Sequence, residues 1–168
     1  MGTYRFLGGG QSVKRIKGRK RESVPAIRTW GDPILKMECQ PVEAAENVQP
    51  IIRGMIQALK KSKNGVGLAA PQIGIAKRII VVAANGFPKA MINPVIDYYS
   101  GGAVVAKEGC LSYPGVFKNI SRSRDVEITF EDIHGVSHKE VLFAGTEARI
   151  IQHECDHLDG ICRVGGGK

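Results

Sequence analysis

The sequence predicts an α+β fold, a mixed or antiparallel sheet packed around a central helix, and three observations carry that expectation. Near the C-terminus, Glu147–Ile151 runs without Gly or Pro into Gln152-His153-Glu154-Cys155-Asp156-His157, and Gly160 follows as a stop. Between Val48 and Leu59, apolar residues recur at Ile51, Ile52, Met55, Ile56 and Leu59, a helical stripe lying on a core. The chain between these helices consists of short β-branched runs punctuated by Gly, Pro, Asn and Asp, which is the composition of strands and turns.

In chain order, Pro50 suits the first turn of the first helix, where its missing N–H costs nothing. Asn64-Gly65-Val66-Gly67-Leu68-Ala69-Ala70-Pro71-Gln72-Ile73-Gly74 is small and apolar, polar inside only at Gln72, and predicts backbone in close approach to another chain or a ligand. It is not a phosphate loop, because the Lys-Ser/Thr after the last glycine of such a loop is absent and the spacing does not fit GxGxxG. Strands are expected at Arg78–Val82, Ala90–Ile92, Val104–Val105, Val126–Phe130 and Glu140–Phe143. Lys107–Pro114, which contains Cys110, reads as a loop or strand end. Glu131–Gly135 has hairpin-turn composition, which makes His134 a turn residue and His138 part of a polar strand face. The sequence contains no internal repeat.

A chain of 168 residues with 43% hydrophobic content fits one domain with a real core. It contains no run of 18 apolar residues and no signal-peptide apolar region, so neither membrane spanning nor secretion is expected. Cysteines at 39, 110, 155 and 162 lack the spacing of a disulfide framework, which suits a reducing compartment.

The chemistry concentrates in His153 and His157. On a helix they lie roughly 40° apart around the axis, so two imidazoles can meet one metal ion with Glu154 beside it, while Cys155 faces away into the core. Such a run equally suits a surface helix with two titrating histidines, and a catalytic tetrahedral site needs a third protein ligand. The eleven residues after His157 contain no His or Glu, and Asp159 is too close on the same helix. Cys110 is the better candidate, although a cysteine taken alone is more often a small buried hydrophobe.

Taken together, Gly65–Gln72, Glu108–Ser112 and His153–His157 resemble the GxGLAAxQ, EGCxS and HExDH motifs of the peptide deformylase family, complete and in order. The resemblance covers about Pro25 to Ile161, including Arg28-Thr29-Trp30-Gly31-Asp32-Pro33-Ile34-Leu35, which is similar to the family's usual entry. It implies a deformylase-like fold around a metal-binding helix, and hydrolysis of the N-formyl group from the formylmethionine of nascent proteins, releasing formate. Cys110, His153 and His157 would hold a divalent ion that lowers the pKa of its water from 15.7 towards about 7. Glu154 would shuttle the proton, and the Gln72 amide with the Leu111 backbone N–H would form an oxyanion hole. Gly65, Val66, Gly67 and Ile150 would contact substrate, with Val66 and Ile150 lining the methionine pocket. Glu108 and Arg122 would form a pair behind the ligands, against the simpler reading of a surface ion pair. Family members are generally ferrous in the cell, which implies Fe(2+), whereas the ligand set suits zinc equally and nickel or cobalt can occupy the isolated protein.

The formal charge of +8 is uneven: residues 1–21 carry seven basic residues and no acid, leaving 17 basic against 16 acidic residues in the rest. Residues 1–24 are therefore expected to be a disordered basic extension to a catalytic domain at 25–168. Three readings of it stand side by side: a transit segment to an organelle interior, a salt-sensitive tether to ribosomal RNA, and a solvated extension without a role. Myristoylation is excluded because position 6 is Phe. The localisation expected without a transit segment is cytoplasmic. At the other end, Ile161–Lys168 ends the sequence where many deformylases continue into a strand and often a terminal helix, which resembles shortened members and argues against an expectation of ribosome docking through such a helix. The competing classes are a different HExxH metallopeptidase, a catalytically silent relative that binds peptide or metal, and a basic nucleic-acid module. The absent downstream ligand, the intact Glu154, Gln72 and Cys110, and the confinement of charge to the tail argue against them in turn.

Overall fold

The computed structural model describes residues 23–84 and 86–165. The expectations for the basic extension therefore fall, apart from its last two residues, outside the described residues. Among the described residues two α-helices, α1 (Gln49–Lys61) and α2 (Gly145–Leu158), accompany five strands: β1 (Gly67–Ala69), β2 (Ile79–Val82), β3 (Lys89–Cys110), β4 (Tyr113–Glu131) and β5 (Ser137–Ala144). The strands form one sheet in the order β1-β2-β3-β4-β5, every neighbouring pair antiparallel. This is the expected α+β architecture, in its antiparallel form.

Residue alternation places the sheet between the two helices. Ile79 and Val81 pack with Ile52, Met55 and Leu59 of α1, while Ile80 and Val82 pack with Ala148, Ile151, Cys155 and Leu158 on the α2 side. Both faces of β2 are thus covered, which is why its sequence is an unbroken Ile-Ile-Val-Val rather than an apolar/polar alternation. Helix α1 matches its predicted extent within two residues and ends in Lys60 and Lys61, favourable against the negative end of the helix dipole. Helix α2 is buried around most of its circumference, at Ala148, Ile150, Ile151, Gln152, Glu154, Cys155, His157 and Leu158, as a central helix must be. The Gln152 amide fixes it to β4, accepting from Ser123 N–H (3.1 Å) and donating to the Ser123 carbonyl (2.8 Å). Gly160 adopts φ +70° against the Lys36 carbonyl, where a Cβ would find no room, so the stop read from sequence is also a packing requirement.

The strand boundaries need correction. Ala90–Ile92 and Val104–Val105 are not separate strands but parts of the 22-residue β3, and Val126–Phe130 is the end of the 19-residue β4. The breaks suggested by Asn93-Pro94 and Gly101-Gly102 are irregularities inside β3: the register with β4 shifts between Ile92 and Val95 and again between Ser100 and Ala103, with positive φ at Asn93, Gly101 and Gly102. The Gly65–Gly74 segment likewise contains the edge strand β1 followed by a 3-10 turn at Ala70–Ile73, neither of which was predicted. The β4–β5 turn is as expected: Asp132 Oδ1 accepts from His134 N–H (2.8 Å) and Val136 N–H (3.0 Å), and His138 lies on β5 with its ring stacked on Phe130.

Candidate metal centre

Three elements converge on one point. Cys110 is the last residue of β3, His153 and His157 lie one turn apart on α2, and β1 with its 3-10 turn brings Gln72 alongside. One ligand atom from each of Cys110, His153 and His157 can be chosen so that all lie within 4.8 Å of one another. Cys110 Sγ is 3.2 Å from His157 Nε2, and the two imidazoles meet edge to face with centroids 5.2 Å apart. The third ligand thus comes from a strand more than 40 residues upstream, as the resemblance implied.

The charge environment fits a cation. Burial, aided by the charges of His153 and Arg122, lowers His157 to about 3, so it presents a neutral imidazole with a free lone pair. The adjacent Cys162 thiol and burial both push the Cys110 thiol upward, so a thiolate at this place needs a positive ion to stabilise it. His157 Nδ1 and Glu154 Oε2 are buried polar atoms without a protein partner, groups that interiors leave unpaired only where something else satisfies them.

Glu108 and Arg122 settle as a buried pair. Arg122 Nε and Nη2 donate to the two Glu108 oxygens at 2.7 and 3.0 Å, and both side chains are almost fully enclosed. The same carboxylate lies 2.9 Å from His153 Nδ1 and also accepts from Arg149 Nη1 at 2.5 Å. Burial alone would raise Glu108, but the hydrogen bonds from His153, Arg122 and Arg149 outweigh it and hold the carboxyl at about 2. A permanently ionised Glu108 fixes His153 as the Nδ1–H tautomer, leaving Nε2 for an ion. Sequence reasoning missed Arg149, Asp156 and Ser112. Asp156 accepts from Arg122 Nη1 (2.9 Å) and Arg163 Nε (2.9 Å), extending the network down α2. Arg149 stands one turn before His153, so helical spacing offered a signal for it, whereas nothing local announced the pairing with Glu108 on β3.

Gln72 is buried and fully oriented. Its Oε1 accepts from Ala69 N–H at 2.8 Å, which turns Nε2 towards Ser112 Oγ (3.1 Å) and Cys110 Sγ (3.7 Å). The entry segment straps this turn in place through Arg28 N–H to the Gln72 carbonyl (2.7 Å) and Trp30 N–H to the Ser112 carbonyl (3.0 Å). Gly67 supplies the close approach expected of its motif, because a Cβ there would strike Glu154 Oε1 and Ile150 Cγ2. Gly65 is similarly hemmed in by Ser62, Leu59 and Leu111. Burial lifts Glu154 to about 7, with His153 and Arg122 pulling the other way, and a cation on the ligands would oppose part of that rise.

A cleft of about 420 Å³ opens onto this group, lined by Gly65, Val66, Gly67, Leu111 and Ile150 together with Val116, Phe117 and Thr146. All the residues read from sequence as catalytic, metal-binding or substrate-binding border it or stand directly behind it. A second, more polar depression of about 480 Å³ lies by Arg78, Asp156, Asp159 and Arg163 and contains none of the three ligands.

An antiparallel α+β domain with one thiolate and two helix imidazoles beside a buried carboxylate defines the class: a hydrolase built on a mononuclear Cys/His/His metal site. The family model described as polypeptide deformylase matches residues 24–164. Among relatives, the peptide deformylase of Dictyoglomus turgidum is 48% identical over 136 residues, covering 80% of this chain and 87% of that one. That of Thermotoga maritima is 41% identical over 136 residues, covering 80% and 82%. The crystal structure of the Thermotoga maritima peptide deformylase superposes with a TM-score of 0.80 at 37% identity over 86% of this chain and 97% of that one. A Met-Ala-Ser-bound class I type b peptide deformylase from Acinetobacter baumannii does so at 0.78 and 33%, over 85% and 98%. The chain belongs to the peptide deformylase family.

Proposed function

We propose that this peptide deformylase removes the formyl group from an N-terminal formylmethionine with Cys110, His153 and His157 as metal ligands and Glu154, Gln72 and Leu111 as its reacting groups. The observation that carries this reading is the convergence of three ligand atoms within 4.8 Å beside a buried Glu154 oxygen that has no protein partner. A divalent ion supplies Lewis acidity and brings water ionisation towards neutral pH. Glu154 takes the proton of the attacking water and returns it to the departing amine, and its raised proton affinity suits both directions of transfer. Gln72 Nε2 and the Leu111 N–H donate to the formyl oxygen as it gains negative charge. Because Ala69 N–H already holds Gln72 Oε1, the amide needs no reorientation when charge develops. Gly65 and Gly67 allow substrate and backbone to approach closely, and Val66 and Ile150 pack against the methionine side chain.

The test is formate release from formyl-Met-Ala-Ser by anaerobically prepared, metal-loaded protein. Release that stops on chelation and returns with added ion is expected, and no release with one ion bound per chain would overturn the reading. Gln72→Leu should lower turnover by the equivalent of about 2.7–4 kcal/mol, the usual cost of one oxyanion donor, while the ion remains bound. Wild-type turnover in that variant would remove Gln72 from the oxyanion role.

The donor set of two imidazoles and one thiolate suits several divalent ions, and we assign Fe(2+) as the working metal on the family resemblance. Metal analysis of anaerobically isolated protein, with activity compared across iron, zinc, nickel and cobalt forms, tests this. Among the described residues no helix is long and apolar enough to cross a membrane. For the seven basic residues of positions 1–21, which precede the family match, a salt-sensitive tether to ribosomal RNA stands beside a transit segment to an organelle interior and an extension without a role, and the location proposed without a transit segment is cytoplasmic. Full-length protein should co-sediment with ribosomes at low salt more than a form starting at residue 22. Equal sedimentation would dismiss the tether.

A further inference from the structure

Past the metal ligands the cleft continues along the β3–β4 ribbon, and strand alternation builds its wall there. Cys110 and Glu108 turn towards α2, where they meet His157 and His153 at 3.2 and 2.9 Å, so Lys107 and Gly109 belong to the opposite face of β3. Gly109 pairs across the ribbon with Phe117, whose ring lies over it: a Cβ at position 109 would stand 2.7 Å from Phe117 Cε1. The Lys107 ammonium sits on that ring, 5.2 Å from its centroid. Glycine, ring and ammonium thus form one platform, and all three residues line the cleft. Phe117 is 60% exposed and Lys107 is exposed, so the platform stays open to solvent.

Four Lys, Arg, Asp or Glu side chains line the cleft: Lys107, Glu108, Arg149 and Glu154. Three of them are not available to a passing chain. Glu108 is enclosed by Arg122, Arg149 and His153, Arg149 is engaged by Glu108 and the Ile120 and Val104 carbonyls, and Glu154 is 4% exposed beside the ligands. Lys107 has no carboxylate partner among the described residues and is therefore the open charge that an extended substrate meets on leaving the metal. It stands three residues before Cys110 on β3, about 10 Å along the strand at the usual rise per residue. A peptide lying extended with its formyl group at the metal reaches about the same distance at its third residue.

We propose that Lys107 and Phe117 form a subsite for an acidic third residue, so that formylated chains with Glu or Asp at that position are processed in preference to those with Lys or Arg. The inference rests on the deformylase reading and deepens it, naming a class of substrate. The ammonium offers three N–H donors to the incoming carboxylate, and the methylenes of a glutamate lie on the Phe117 ring. Because the pair stays open to water, its strength is that of a surface ion pair, about 2- to 5-fold in affinity, and a basic side chain meets repulsion of similar size. The contact lies far from the reacting atoms and is the same in the bound substrate and the transition state, so it acts on KM rather than on kcat.

The experiment measures kcat and KM for formate release by full-length, metal-loaded wild type, Lys107→Glu and Lys118→Glu. The substrates are formyl-Met-Ala-Glu, formyl-Met-Ala-Gln and formyl-Met-Ala-Lys, with formyl-Met-Glu-Ala and formyl-Met-Gln-Ala to probe the second residue. All are amidated at the C-terminus, which removes a carboxylate that would otherwise stand beside the third residue. Wild type should favour Glu over Lys at the third position by about 4- to 25-fold in kcat/KM, the product of attraction and repulsion, with Gln between them and the difference carried by KM. The preference should fade near 1 M salt, where the screening length is about 3 Å. Lys107→Glu should invert the order. Lys118→Glu makes the same charge change on the same ribbon outside the cleft lining and should keep the wild-type order. A ratio taken within one preparation does not depend on its active fraction, so a partly unfolded variant still reports its preference. Equal treatment of the three peptides by wild type would overturn the subsite, as would an unchanged order in Lys107→Glu, an inversion in Lys118→Glu, or the same preference for Glu over Gln at the second residue. Release without selectivity leaves the deformylase reading standing, whereas no formate from any peptide removes both.

Discussion

Glu154→Gln is expected to lower deformylation by about 10²- to 10⁴-fold while leaving metal content and fold intact, because general acid/base transfer is what the amide cannot supply. The isostere keeps the size and hydrogen-bonding reach of the side chain, and Glu154 lies outside the group of three ligand atoms. Stability should not suffer. Glu154 is 4% exposed and burial works against its ionised form, so a neutral side chain there removes a cost rather than adding one. Measurement of kcat and KM on formyl-Met-Ala-Ser, beside one-ion stoichiometry and an unchanged melting temperature, checks this. A kcat within a few-fold of wild type would mean that the proton leaves by another route and that Glu154 serves only to shape the cleft.

Side chains whose partners are set by helical periodicity were legible in the sequence. His153, His157 and the apolar stripe of α1 needed only the 3.6-residue repeat, and both helices stand where that repeat put them. Cys110 was different: nothing within its own segment distinguishes a ligand from a buried thiol, and only the joint resemblance of three distant motifs placed it. The lengths of β3 and β4 were hidden because Asn93-Pro94 and Gly101-Gly102 have the composition of turns, whereas in the folded chain cross-strand pairing resumes past each irregularity. β1 was hidden for a related reason. Gly67 and Ala69 have poor strand propensity, and what holds them extended is pairing with Val82 and Ile80 together with the narrow gap beside Glu154. Of the partners of Glu108, the resemblance supplied Arg122 on β4, whereas His153 and Arg149 on α2 were beyond reach from sequence because contacts between β3 and α2 carry no local periodicity.

Those same contacts carry the second large effect. Glu108→Ala is expected to destabilise the fold by about 3–5 kcal/mol, since Arg122, with only 4% of its side chain exposed, would keep its charge in the interior and lose its bidentate partner. For a domain of this size that corresponds to a melting temperature lower by roughly 10 °C. Metal affinity should fall by about 10- to 100-fold in addition, because His153 Nδ1 loses the carboxylate that fixes its tautomer and orientation. The two effects are separable. In the double variant Glu108→Leu/Arg122→Met the most deeply buried charge leaves with its partner and the volume is filled, while Asp156 keeps Arg163 and the half-enclosed Arg149 keeps the Ile120 and Val104 carbonyls, so much of the stability should return. The ion should remain weakly bound, since a leucine offers His153 no acceptor. Thermal unfolding of the metal-free proteins and titration of each with a divalent ion give the two readouts. Were the double variant to recover metal affinity along with stability, Glu108 would act only by compensating Arg122, and the orientation of His153 would rest on the packing of α2 alone.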